Sequence, residues 1–135
     1  MLGAVPVAAA ACALLAALIH VYIFALESIL WMRPRTRATF GVESEQAAAT
    51  TRELAYNQGW YNLFLAIGTV IGLLVSRSPD VVTRAAGIGA LLLALSSMVA
   101  AAIVLVVRSP ALARAAVVQG AAPLAALVLL VVLAP

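Results

Sequence analysis

Two side chains able to move a proton lie inside the first apolar stretch of this chain. In IHVYIFALESILW, residues 19–31, His20 and Glu27 are seven positions apart. Seven residues are two turns of helix, so both groups share a face, with Phe24 and Trp31 on the same stripe. An imidazole and a carboxyl are the pair that general acid–base catalysis or proton carriage uses. An ionisable group surrounded by hydrocarbon is also expensive to keep, so it marks a candidate functional position. His20 and Glu27 are therefore the candidate catalytic residues.

More polar side chains follow in AYNQGWYN, residues 55–62. Helical spacing puts Gln58 and Asn62 on one stripe and Asn57 and Tyr61 on another. Counted inward from Arg33, Glu53 and Arg114, the side chains of Glu27, Asn62 and Gln119 start about 9, 13 and 8 Å deep at 1.5 Å per residue. Three helices thus carry polar groups at similar depth, and a second layer of His20, Ser96 and Ser97 is expected nearer the midplane. The expected ligand-contacting set is Asn57, Gln58, Tyr61, Asn62, Trp31 and Gln119. A plainer reading stands beside it: amides and hydroxyls in a small bundle also serve to hold helices together, and Trp31 and Trp60 fit headgroup anchors. One histidine and one cysteine, Cys12, give no metal-binding or haem set, so no metal and no cofactor are expected. A lone cysteine in an Ala/Leu run reads as a small apolar filler.

The elements that position these groups follow from composition. Of 135 residues, 66% are hydrophobic and 10% charged, and the mean hydropathy is +1.16. That is too little charge to cover a water-soluble domain. Four apolar runs, about 5–31, 54–76, 81–107 and 111–133, are each long enough to cross a hydrocarbon layer of about 30 Å. In hydrocarbon the backbone must satisfy itself, so the spans are helices. The expected fold is an all-α polytopic membrane protein, residues 1–135 forming one domain: a four-transmembrane-helix antiparallel bundle, with a short amphipathic helix between the first two spans. That helix is expected to start near Ser44, with Glu43 and Glu45 at its positive end, and to run into the second span. Arg77-Ser78-Pro79 and Arg108-Ser109-Pro110 read as helix starts, with Ser as N-cap and Pro at the first helical position. Gly68 and Gly72 form a GxxxG pair suited to close helix contact.

All eight basic residues are arginines. Six of them, Arg33, Arg35, Arg37, Arg52, Arg108 and Arg114, fall on one side of the expected bundle, and Arg77 and Arg84 on the other. The excess places loop 33–53 in the cytoplasm and both termini outside. A net charge of +3, spread along membrane edges, argues against nucleic acid as a partner and for lipid headgroups.

Taken together, His20, Glu27, Trp31, Pro34, Phe40, Ala55, Asn57-Gln58-Gly59 and Tyr61-Asn62 resemble the signature of the domain of unknown function 1304 family. These are small bacterial four-helix membrane proteins. The resemblance covers nearly the whole chain, is specific over residues 20–65, and implies a bacterial inner membrane. It brings no activity with it. Three functions are compatible with these residues. The first is an intramembrane pocket, with Glu27, His20 and Asn62 at its centre, for a small apolar or amphipathic ligand, with or without acid–base chemistry. The second is a proton-coupled exporter working as a homodimer. The third is a non-catalytic assembly or structural protein.

Overall fold

In the computed structural model, which describes residues 4–133, the chain is all-helical with no strand among the described residues. Helix α1 runs Val7–Phe24 and continues as one π-helical turn, Ala25–Ile29. A short α2, Pro34–Thr39, follows, then α3, Glu45–Val75, and α4, Val81–Arg108. A 3-10 turn, Pro110–Leu112, leads into α5, Ala113–Val132. Four segments are long and apolar enough to span a membrane: Val7–Ile29, Glu45–Val75, Val81–Arg108 and Pro110–Val132. The protein is a multi-pass helical bundle, as expected. The expectation for the two termini concerns residues 1–3 and 134–135, outside the described residues.

Helix α3 packs on α1 and α4, and α5 closes the ring by packing on α4 and α1. The second, third and fourth spans are joined by short turns, the first and second by a longer connection that carries α2, and successive spans run antiparallel. The buried residues explain the geometry. On α1 they are Ala9, Ala13, Ala16, Ala17 and His20; on α3 Ala48, Ala55, Gly59, Asn62, Ala66, Thr69, Gly72 and Leu73. These intervals of three, four and seven are the seam of nearly parallel helices coiling about one another. Small side chains dominate because lipid offers no hydrophobic drive for association, so helices gain by approaching closely. The core itself, Leu73, Leu91, Leu95 and Met98 with Ala13, Ala16, Ala122 and Ala126, fills the half of the bundle nearer the α3–α4 turn. Cys12 packs against its margin, as a filler would.

Of the GxxxG pair, Gly72 makes the close contact: a Cβ there would stand 2.8 Å from the Leu91 nitrogen, whereas one on Gly68 would find only Ala94, at 3.9 Å. A tighter approach lies at Gly87, where a Cβ would run into the Ser76 nitrogen and come within 2.6 Å of the Val75 carbonyl carbon. Two buried hydroxyls near the α3–α4 turn are satisfied by carbonyls of α3, Thr69 by donating to Leu65 O (2.9 Å) and Ser76 to Leu73 O (2.8 Å).

One expectation is met and one needs correction. The helix beginning at Ser44 does run into the second span: Ser44 caps it, accepting from the Ala47 N–H at 3.0 Å, and it continues unbroken through 31 residues. A further short helix, α2, precedes it. At the α3–α4 turn the N-cap is Asp80, whose Oδ2 accepts from the Thr83 N–H at 2.7 Å, and Ser78 instead accepts from the Asp80 N–H. Pro79 precedes that cap, so a carboxylate takes the role assigned to the hydroxyl. Ser109 does stand at the N-cap of the next turn, with Pro110 following, but without a side-chain cap bond.

Backbone contact at Gly87 leaves no room for a methyl group. Gly87→Ala is therefore expected to destabilise the bundle by about 1–3 kcal/mol through overpacking, while Gly89→Ala, where a Cβ meets nothing within 4 Å, is neutral or stabilising. Thermal unfolding in detergent compares the two. The Thr83 amide holds the Asp80 carboxyl below its ordinary pKa of 3.8. Its stabilising contribution is then full above that value and is lost as pH falls through the lowered one. Asp80→Ala should lower the melting temperature at neutral pH, and the difference from wild type should shrink on acidification.

Candidate functional site

The π-helical turn is where α1 meets α3. Its hydrogen bond, Leu30 N–H to Ala25 O at 2.9 Å, closes over one residue more than an α-helical bond does. The wider turn lets two consecutive side chains engage α3. Ser28 Oγ donates to Tyr56 O at 2.8 Å, and Glu27 Oε2 accepts from Asn62 Nδ2 at 2.8 Å. Gly59 sits opposite: a Cβ there would collide with Ser28 Oγ and stand 3.1 Å from the Glu27 Cβ. A glycine at this position is what allows the carboxyl-bearing turn to seat against α3.

Glu27 is 8% exposed and Asn62 9%. The Asn62 amide also donates to Gln58 O, at 3.2 Å, so its nitrogen is held by its own helix while it holds the carboxyl. Beside this pair opens a cleft of about 380 Å³. Glu27, Ser28, Arg52, Glu53 and Tyr56 give it polar walls, and Ile29, Trp31 and Met32 an apolar one. Trp31 is fixed inside the protein: its Nε1–H donates to Ala48 O at 3.0 Å and its ring packs on Phe40, with centroids 5.3 Å apart. It is a wall of the cleft, not an anchor reaching toward headgroups. Trp60 spans the α1–α3 seam, 5.2 Å from the Phe24 ring.

The sequence set is thus divided. Glu27, Asn62 and Trp31 come together. His20 does not join them: it is 1% exposed, and its Nδ1 bonds Ala16 O at 2.9 Å within α1. Asn57, Gln58 and Tyr61 are exposed on α3. Gln119 is half-buried on α5, whose main neighbours are α1 and α4, and it does not line the cleft. The expected deeper polar layer does not form. Ser97 bonds back to Leu93 O at 2.8 Å, and Ser96 is exposed.

The length of α3 accounts for the outward polar groups. Thirty-one residues exceed the roughly 20 that cross hydrocarbon, and counting about 20 back from Val75 puts the membrane boundary near Tyr56. Asn57 and Gln58 then stand at headgroup level, where they need no protein partner. Arg52, Glu53, Tyr56, Ser28 and Met32 belong to the site but escaped the sequence reading. Arg52 and Glu53 were legible only as the polar edge of a span, and nothing in the local sequence marks the π-helical turn that brings Ser28 round to α3.

The Glu27–Asn62 bond gives a direct expectation. Asn62→Ala leaves a buried carboxyl without its donor and should destabilise the protein by about 1–3 kcal/mol. In a Glu27→Ala background the same change should cost clearly less, because the two residues act through one contact. Equal costs in both backgrounds, measured by thermal unfolding in detergent, would mean the bond contributes nothing.

No curated protein and no solved structure shows significant similarity to this chain. One family model does match, over residues 14–131, which includes the π-helical turn, the cleft and all but the start of the first span. By that match the chain belongs to the family described as protein of unknown function (DUF1304).

Proposed function

We propose that the cleft beside Glu27 binds a small amphipathic molecule at the headgroup level of one leaflet, with Glu27 as its polar anchor. The observation that carries this is a buried carboxyl, held by Asn62 through one oxygen, that forms part of the wall of an open cleft. Polar walls on one side and Ile29, Trp31 and Met32 on the other match a ligand with a hydrogen-bonding head and an apolar body. The volume falls in the range of about 300–1,000 Å³ usual for small-molecule sites. The arginine-rich side of the bundle favours an opening toward the cytoplasmic leaflet. Any proton transfer at the site rests on Glu27, since His20 lies outside it.

Decylamine and decanol are suitable probes, titrated into protein held in lipid nanodiscs and followed through the fluorescence of Trp31, a wall of the cleft. Wild type should bind at least one of them saturably. Glu27→Gln keeps an acceptor for Asn62 but removes the carboxyl, and should weaken that binding at least tenfold, about 1.4 kcal/mol. Unchanged affinity in Glu27→Gln, or no saturable binding in wild type, rejects the reading.

A further inference from the structure

The cleft does not stand alone on its face of the bundle. On α3, Tyr56, Trp60, Phe64, Ile67 and Ile71 follow at intervals of three and four, one stripe of the helix. Tyr56 lines the cleft. Its ring lies 6.4 Å from Trp60, and Trp60 lies 5.9 Å from Phe64. Ile67 and Ile71 then line a second depression, an apolar groove of about 260 Å³ whose other wall is Leu14, Leu18 and Val21 of α1. Both depressions lie on the α1–α3 seam, and the Phe24–Trp60 contact bridges the seam between them. From Tyr56 to the groove at residues 66–71 is about 15–23 Å along the helix, one leaflet's depth of hydrocarbon and somewhat more.

A polar cleft at the membrane boundary, an aromatic strip below it and an apolar groove below that have the proportions of one lipid molecule. The cleft's ionisable walls carry both signs: the carboxyls of Glu27 and Glu53 and the guanidinium of Arg52. We infer that the α1–α3 seam is a binding track for a single aminophospholipid, with its primary ammonium on Glu27 and Glu53, its phosphate on Arg52 and one acyl chain laid over Trp60 into the groove. A primary ammonium suits this cleft better than a quaternary one, because it can donate hydrogen bonds to a carboxyl and a quaternary one cannot. This inference rests on the proposed reading of the cleft and extends it to a ligand class. Since bulk lipid solvates a chain as well as the groove does, selectivity should come mainly from the headgroup and the chain should add a modest, shape-dependent preference.

Native mass spectrometry of the detergent-purified protein, loaded with defined lipids, tests the two parts separately. The probes are phosphatidylethanolamine and phosphatidylcholine, each with short (hexanoyl) and long (palmitoyl) chains. Wild type should retain the ethanolamine lipid over the choline lipid at both lengths, and the long chain over the short. Glu27→Gln should remove the headgroup preference at both lengths. Leu18→Trp fills the groove from a position 67% exposed, so the fold tolerates it. It should lower long-chain retention severalfold and leave short-chain retention unchanged. If Glu27 governs short-chain binding but Leu18→Trp changes nothing, the track is wrong and the cleft reading stands. A wild type that retains both headgroups equally overturns the aminophospholipid assignment. If Glu27→Gln is without effect at either length, the cleft reading fails and the track with it.

Discussion

Hydrocarbon gives a polar group no partner of its own, and the contact between Glu27 and Asn62 is where this chain meets that constraint most sharply. A carboxyl in the last turn of the first span is tolerated because α3 brings an amide to 2.8 Å from it. Much of the α1–α3 geometry follows. Gly59 removes the side chain that would hold the helices apart, and Ser28 ties the same turn to the α3 backbone. The π-helical turn supplies the extra residue that lets consecutive side chains face one neighbour. Such turns recur at functional sites because they reorient side chains at the cost of regular packing. Here the reoriented side chain is the only carboxyl in the first span.

The other end of the bundle obeys the same constraint by different means. There the buried polar groups are hydroxyls, and each donates to a carbonyl of its own helix. They ask nothing of neighbouring helices, so the interface can be built from alanine, glycine and a few large apolar side chains. His20 belongs with this group. Its bond to Ala16 O lies within α1, which explains how an imidazole can be buried deep in the bundle without a polar partner on another helix. The protein therefore separates self-satisfied polar groups, which permit tight packing, from a set of polar contacts between the end of the first span and α3, of which Glu27–Asn62 joins two side chains and sits beside open space.

The spans and the partner of Glu27 were legible in the sequence; the separation of His20 from Glu27 was not. Span lengths follow from hydropathy, and the pairing of Glu27 with an amide on α3 follows from matched depth and the expense of a lone carboxyl. What periodicity cannot do is choose between stripes. Gln58 and Asn62 are one turn apart, yet only Asn62 turns inward, because the seam of α3 passes through Gly59 and Asn62 and leaves Gln58 outside it. Asn57 and Tyr61 do share a stripe, and it faces outward. Depth misled for a related reason: taking Glu53 as the edge of the second span set Asn57 and Gln58 inside the membrane, whereas the length of α3 sets them at its boundary. The cap at Asp80 shows a local version of this limit. Ser78 and Asp80 both flank Pro79 and both suit an N-cap, and the carboxylate two residues further on is the one with reach to the Thr83 amide.

The place of the cleft follows from the same accounting. A site built deeper would have to satisfy every polar wall within the protein, as His20 and the buried hydroxyls do, and would leave nothing free to meet a ligand. A site built wholly outside the membrane would let water compete for each contact. The boundary near Tyr56 escapes both limits. Arg52 and Glu53 stay hydrated on the part of α3 that projects beyond the hydrocarbon, while Glu27 is drawn below them and fixed from one side by Asn62. Trp31, held rigid by Ala48 and Phe40, closes the apolar wall without contributing mobility. On the proposed reading, preorganisation of this kind would lower the ordering cost of a bound ligand, and it depends on α3 being one continuous helix. If the helix broke at the membrane surface, Arg52 and Glu53 would lose their fixed place above the carboxyl, and the cleft would have no polar rim.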